Sequence, residues 1–234
     1  QVALAAVGAT GSLIYLLVSL FNGLSIGANV VIAKAIGSND QTKITKSVNS
    51  SVMLALLSGI VLTLVGVFGS KYFLIWMGTP SSIIDQSTLY MQVYFMGSLF
   101  MVMYNFGAAI LRSQGDTKRP LIFLTISGVI NVILNLIFVI VFHWSVFGVS
   151  LATVISQGIA CILVLYILVH DEDETHLELK HLSMDDETAK EILRIGIPAG
   201  IQGMAFAISN VVVQSSINSF DSSTIIAGNS AAVN

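Results

Sequence analysis

The chain alternates between long stretches without a charge and short polar connections, and the apolar stretches set its plan. Six of them are long enough to cross a bilayer, at about residues 2 to 33, 48 to 70, 89 to 111, 121 to 142, 148 to 169 and 195 to 219. Crossing the hydrocarbon takes roughly 20 predominantly apolar residues in a helix. Hydrocarbon offers no partner to a free backbone amide, so each stretch predicts an α-helix that satisfies its own backbone.

The connections sharpen this reading. From Tyr104 to Pro120 the residues read as the end of one helix, a turn and the start of the next. Arg112 closes the first, Gly115-Asp116 makes the turn, Thr117 is placed to cap the second, and Pro120 falls where a missing N–H does no harm. Connections at 34–47, 112–119 and 170–194 lie on one side of the membrane, and those near 71–88, 143–147 and 220–224 on the other. The first set holds Lys34, Lys43, Lys46, Arg112, Lys118, Arg119, Lys180, Lys190 and Arg194, and the second only Lys71. Nine cations against one assign the first set to the cytoplasm. Gln1 then starts outside, so a further span is expected before it, and the apolar segment from Ile225 to Asn234 reads as an unfinished helix.

Composition agrees. Only 10% of the residues are charged, 55% are hydrophobic and the mean hydropathy is +0.86, against about 25% charged in a soluble domain. The expected class is an all-α polytopic membrane bundle with the lipid bilayer as its surroundings and no nucleic-acid partner. Cys161 sits inside the fifth stretch with no second cysteine, so neither a disulfide nor a thiolate metal site is expected. The N-terminus lacks the basic region and short apolar core of a signal peptide.

Smaller features refine the plan. The first span runs uncharged for about 33 residues and contains Gly23-x-x-x-Gly27, a spacing that permits close helix approach or a hinge. Thr79-Pro80 reads as a cap followed by Pro in the first helical position, with Asp85 in the early turns. Trp76, Tyr72 and Tyr90 suit an outer aromatic belt. The connection 170–194 carries nine acids together with His170, His176 and His181, whose spacing fits no zinc pattern, so it is expected to be a solvated linker. Within it Ser183 and Asp186 suggest a capping box, and Ile192, Leu193 and Ile195 an interfacial helix leading to Pro198.

No HExxH, GxSxG, Walker or CxxC motif occurs, and no acid lies inside a span, so an enzyme is not expected. The spans instead carry amides and hydroxyls at helical offsets. Asn131 and Asn135 share one face, with Ser127 and Gly128 one turn earlier. With Thr153 and Gln157 on the next span, and Tyr104 and Asn105 on the previous one, this stripe is a candidate lining for a cavity that holds substrate or ion. The alternative is interhelical hydrogen bonding, and for Thr153 a bond to its own helix backbone.

At Gly23-Leu24-Ser25-Ile26-Gly27-Ala28-Asn29, Arg112-Ser113-Gln114-Gly115-Asp116-Thr117-Lys118-Arg119-Pro120, Gly148-Val149 through Thr153 to Gln157, and Arg194-Ile195-Gly196-Ile197-Pro198-Ala199, the chain resembles the multidrug and toxic compound extrusion (MATE) transporters. The resemblance implies a twelve-helix, two-lobe architecture of which these spans are helices two to seven. Residues 1–169 would belong to the first lobe, 170–194 to the cytoplasmic connector, and 195–234 to the first helix of the second lobe and the start of the next. Leu4-Ala5-Ala6 and Ile226-Ala227-Gly228 would occupy corresponding positions in the two repeats.

The resemblance also implies antiport: export of an organic cation or similar amphipathic compound against H+ or Na+ by a protein of the inner (plasma) membrane, monomeric at full length and without a cofactor. Asn131 and Asn135 match the family's helix-five polar pair and Thr153 its helix-six hydroxyl. Two positions depart from the pattern: Asn135 stands where proton-coupled relatives commonly carry Asp, and Phe206 where some branches carry Glu. A lipid-linked oligosaccharide flippase of the same superfamily would want basic residues in the spans, and none is there. A non-transporting scaffold would leave the polar stripe without a purpose. On the two-lobe reading, the 234 residues expressed alone show no efflux of a fluorescent cation from vesicles; substantial efflux by this segment would overturn it.

Overall fold

A computed structural model of the protein describes residues 2–171, 173–178, 182–219, 225, 226 and 228. These residues form helices α1 (Val2–Gly37), α2 (Gln41–Trp76), α3 (Ile84–Met96), α4 (Ser98–Ser113), α5 (Lys118–Leu136), α6 (Ser145–His170) and α7 (Asp186–Asn218), and a π-helical segment, Ile137–Val141, continues α5. Among the described residues five helices are long and apolar enough to cross a membrane, and α3 with α4 makes a sixth span bent by 45°. The expected all-α polytopic bundle is therefore the fold. Gln1, Glu172, Lys180, His181, Ala227 and the expected connection at 220–224 lie outside the described residues.

Local chemistry explains where the helices stop. Asn39 and Gly78 adopt left-handed backbone after α1 and α2, and Asp40 caps α2 by accepting from the Lys43 amide at 3.2 Å. The third span, expected as one helix, breaks at Gly97. A Cβ there would lie 2.7 Å from Val154 Cγ2, so the missing side chain lets α6 wedge into the bend. Ser98 Oγ bonds the Phe95 carbonyl and pairs with Thr63 Oγ1 at 2.8 Å, which ties the break to α2.

One expected helix start keeps its place with a different cap, and two move. Thr117 makes no capping bond; Asp116 accepts from the Lys118 and Arg119 amides, both at 3.1 Å, because left-handed Gly115 turns its carboxylate back over the helix end. Thr79-Pro80 does not begin α3: the Pro80 carbonyl first accepts from Ile83 and Ile84 in a turn, and the helix starts at Ile84. Asp185, not Ser183, caps α7, accepting from the Thr188 amide at 3.0 Å, and the expected interfacial helix and last span are one continuous helix containing Pro198.

The connector also differs from a solvated linker. Leu177 is fully buried, its amide bonds the Leu168 carbonyl, and Gln41 Nε2 donates to the Glu174 carbonyl at 2.9 Å. Arg119 contacts Asp116, Asp171 and Asp173, so one guanidinium joins the α4–α5 turn to the end of α6. His170 stacks on Tyr166, and His176 Nδ1 lies 2.8 Å from the Asp171 carbonyl. Trp76 and Tyr72 are exposed as a belt requires, whereas Tyr90 packs inward beside Tyr94. Buried Cys161 lies in the same core.

The most extensive helix contact runs between α1 and α7. At ~1.5 Å per residue, the 36 residues of α1 extend about 54 Å, beyond the roughly 30 Å of hydrocarbon. Gly23 and Gly27 meet Gly196 and Gly200 in antiparallel order. A Cβ on Gly23 would sit 2.1 Å from the Gly200 nitrogen, and one on Gly27 2.4 Å from the Ile192 carbonyl oxygen. At the Lys/Arg-rich end of the bundle Lys34 pairs with Glu191 at 2.7 Å and Lys46 with Asp185 at 3.1 Å, while the Asp185 amide donates to Ser50 Oγ.

Bonds from the Thr188 hydroxyl and amide, with Lys46 beside them, hold the Asp185 carboxyl at a pKa of about 2, below the ordinary value of about 3.9. A depressed folded-state pKa stabilises above the unfolded value and ceases to do so as pH falls through the folded one. The Asp185 contribution is thus complete above about pH 4 and lost towards about pH 2. Thermal melts of the purified full-length protein are expected to show Asp185→Ala lowering the midpoint at pH 7 more than Asp185→Asn, which keeps a capping side chain. At the acid end, where Asp185 is itself uncharged, Asp185→Asn should converge on the wild type while Asp185→Ala, which lacks the cap, stays lower, and equal melting of all three at pH 7 would contradict the assignment.

Candidate functional site

The span amides and hydroxyls sort into separate networks. Between α5 and α6, Asn131 Nδ2 faces Thr153 Oγ1 at 3.4 Å and Ser156 Oγ at 3.3 Å, and Asn135 Nδ2 donates to Asn131 Oδ1 at 3.0 Å. Ser127 Oγ donates to the Ser156 carbonyl at 2.7 Å, one turn nearer the Lys/Arg-rich end. Thr153 Oγ1 also donates to the Val149 carbonyl of its own helix at 3.0 Å. Asn135 Oδ1 is enclosed and has no hydrogen-bond partner in the structure. A buried carbonyl oxygen left open is uncommon and calls for a water or an ion.

Helical spacing builds this cluster. Ser127, Asn131 and Asn135 recur every four residues and face α6, while Leu121, Val132 and Leu136 on the remaining surface of α5 are more than half exposed. Directly beyond Asn135 the helix widens into the π segment, where Phe138, Phe142 and Trp144 pack with ring centroids 5.1 to 6.2 Å apart. The Trp144 amide reaches back to the Phe138 carbonyl at 2.9 Å, and His143 and Ser145 take positive φ to close the hairpin.

The other candidates lie elsewhere. Asn105 Nδ2 on α4 donates to Asn22 Oδ1 on α1 at 2.9 Å, and Asn29 Nδ2 donates to the Ala109 carbonyl at 2.8 Å, so two amides of α1 fasten it to α4. The Tyr104 hydroxyl donates to the Pro120 carbonyl in the first turn of α5 at 2.8 Å. Gln157 lies within reach of the Tyr94 hydroxyl. The structure therefore brings Asn131, Asn135 and Thr153 together and keeps Tyr104, Asn105 and Gln157 on other contacts.

Two features add to the candidates. Ser156, three residues after Thr153, completes the α5–α6 cluster, and its spacing carried the signal. Gln214 and Asn218 on α7 are buried, bonded to each other at 3.1 Å, and Asn218 Nδ2 lies 3.4 Å from the Met77 carbonyl at the end of α2. They form the same i, i+4 amide pair as Asn131 and Asn135.

Comparison with known proteins completes the picture. The family model described as MatE matches residues 1–137, which include the α1–α4 amides and all of α5. The chain belongs to the MatE family. The MatE chain is 30% identical over 218 residues to the probable multidrug resistance protein YpnP of Bacillus subtilis (strain 168), covering 93% of this chain and 48% of that protein. A multidrug resistance MATE family transporter of the MOP superfamily in an inward-facing conformation is 25% identical, with a TM-score of 0.92 over 99% of this chain and 53% of its own. An outward-facing conformation of such a transporter is 26% identical, with a TM-score of 0.81 over 88% of this chain and 46% of its own. The MatE chain thus spans about half the length of the relatives it matches.

In lipid an interhelical polar contact contributes about 0.6 kcal/mol on average. A double-mutant cycle with Asn131→Ala and Thr153→Val, read by unfolding in detergent, is expected to give a coupling of about that size. A coupling indistinguishable from zero would show that the α5–α6 contact is incidental.

Proposed function

We propose that the full-length protein is a secondary active exporter of organic cations or similar amphipathic small molecules, driven by inward Na+ or H+ and working by alternating access of two lobes. Residues 1–169 then serve as helices of the first lobe, 170–194 as the connector, and 195–234 as the beginning of the second. The protein would reside as a monomer in the inner (plasma) membrane, with connections 34–47, 112–119 and 170–194 in the cytoplasm. The family match and the multidrug names of the relatives support this reading.

The observation that carries the coupling role is the unpartnered Asn135 Oδ1 in the cluster that also contains the Asn131 side-chain carbonyl and the Thr153 hydroxyl. These are neutral oxygen donors, suited to a hard cation such as Na+. None of the three titrates in the working range, so a proton taken up in this cluster would have no carrier. Sodium is therefore the ion we assign to this position, and proton coupling would need an acid elsewhere in the full-length protein. The match to an inward-facing relative over 99% of the chain, against 88% for an outward-facing one, supports reading the described arrangement as inward-facing. A flippase for a pyrophosphate lipid is disfavoured because the apolar windows of these spans carry no Lys or Arg.

The test uses the full-length protein in proteoliposomes and a fluorescent organic cation. Transport is expected under an imposed Na+ gradient and to fall about tenfold or more in Asn135→Leu, which is expected to stay folded. Transport driven only by a pH gradient would remove sodium from this cluster, and no gradient-driven transport of any cation would favour the flippase.

A further inference from the structure

At the Lys/Arg-rich end of the bundle, α1, α2 and α7 line a cavity of about 330 Å³, within the roughly 300–1,000 Å³ of small-molecule sites. Part of its wall is apolar, made by buried Val31 and Ala35 of α1. The rest is charged, with Lys34, Lys43 and Lys46 set against Asp185, Glu187 and Glu191. The uncharged run of α1 ends at Lys34 and that of α2 begins after Lys46. The cavity therefore stands where the spans leave hydrocarbon for the headgroup layer.

The charges of the lining are paired unevenly. Lys34 meets Glu191 at 2.7 Å and Lys46 meets Asp185 at 3.1 Å, so these four neutralise one another. Lys43 reaches only Asp40, at 3.4 Å, and Asp40 is not part of the lining. An exposed pair of that kind yields at little cost. Glu187 is exposed and forms no ion pair among the described residues. One ammonium and one carboxylate are thus left for a ligand.

Ser47 is an independent sign of an occupant. It is 3% exposed and lines the cavity, yet its hydroxyl makes no hydrogen bond among the described residues. Its neighbours are satisfied: Ser50 Oγ accepts from the Asp185 amide at 2.9 Å and Ser51 Oγ donates to the Ser47 carbonyl at 2.7 Å. A buried hydroxyl without a partner calls for a group that is not part of the chain.

We propose that this cavity is a headgroup site for a zwitterionic phospholipid of the cytoplasmic leaflet that carries a phosphodiester and a primary ammonium, as phosphatidylethanolamine does. The phosphate oxygens accept from Lys43 and from the Ser47 hydroxyl, and the ammonium donates to Glu187. Val31, one turn deeper than Lys34, marks the side from which the glycerol and acyl chains continue into the bilayer. Three cations against three carboxylates suit a ligand without net charge. A choline headgroup has no N–H to donate to Glu187, and an anionic lipid would satisfy Lys43 while setting like charge against Glu187.

The experiment reads binding, so its result stands whichever way the transport test falls. Delipidated full-length protein in detergent is titrated with phosphatidylethanolamine, phosphatidylcholine or phosphatidylglycerol, and bound lipid is counted by native mass spectrometry. Phosphatidylethanolamine is expected to bind about tenfold more tightly than the other two, and Lys43→Gln or Glu187→Gln to weaken it about tenfold, the worth of one charge-assisted hydrogen bond. Both replace exposed side chains, so folding is retained. Glu187→Lys should turn the preference towards phosphatidylglycerol, a reversal that a purely structural role would not produce. Lys118→Gln, exposed at the same end of the bundle but outside the cavity, should leave binding unchanged. Equal affinity of the parent for the three lipids overturns the proposal, as does tighter binding of phosphatidylglycerol or an unchanged affinity in both Lys43→Gln and Glu187→Gln. Glycerophosphoethanolamine, the headgroup without acyl chains, should compete weakly; competition as strong as the lipid's would make the ligand a soluble phosphate ester and overturn the lipid assignment.

Discussion

Hydrocarbon withholds water from every polar group inside the spans of this protein, and most of its architecture answers that constraint. Backbone amides are satisfied inside helices, so the spans are helical whatever their residue-level propensity. Helix breaks occur where another group takes over the freed backbone atoms or where a glycine admits a neighbour. Gly97 is such a place: α6 fills the bend, and Ser98 occupies the Phe95 carbonyl. The turn at Gly115 is another, with Asp116 supplying the acceptor that two first-turn amides need.

Side-chain amides meet the same constraint with different outcomes. Asn22, Asn29 and Asn105 find partners across α1 and α4 and serve as fastenings. Asn131 and Asn135 bond one another and the hydroxyls of α6, yet one carbonyl oxygen remains open. A fully satisfied network rigidifies a bundle; one with a vacant acceptor is suited to exchange a water or an ion. That difference, rather than the presence of polar residues in lipid, separates structural amides from a candidate ion position.

Where side chains are absent, close approach replaces hydrogen bonding as the source of cohesion. The α1–α7 crossing concentrates this in four glycines flanked by ion pairs at one end and an amide contact at the other. The Lys/Arg-rich face uses charge in a different way, with Arg119 collecting three carboxylates so that the connector packs against the bundle and Leu177 is buried beneath it.

By itself the sequence determined the all-α class, the apolar middles of the six spans though not the full length of their helices, the turn at Gly115-Asp116 and the shared face of Asn131 and Asn135, because apolar runs and helical offsets are local properties of the chain. The tertiary structure decided which acid caps α5 and α7, that the third span breaks at Gly97, and that the connector is docked. It also decided that Tyr104, Asn105 and Gln157 bond away from the α5–α6 cluster, and that Gly23 and Gly27 meet Gly196 and Gly200. Each of these depends on which distant helix stands opposite, and a single strand of residues carries no record of its neighbours across the bundle.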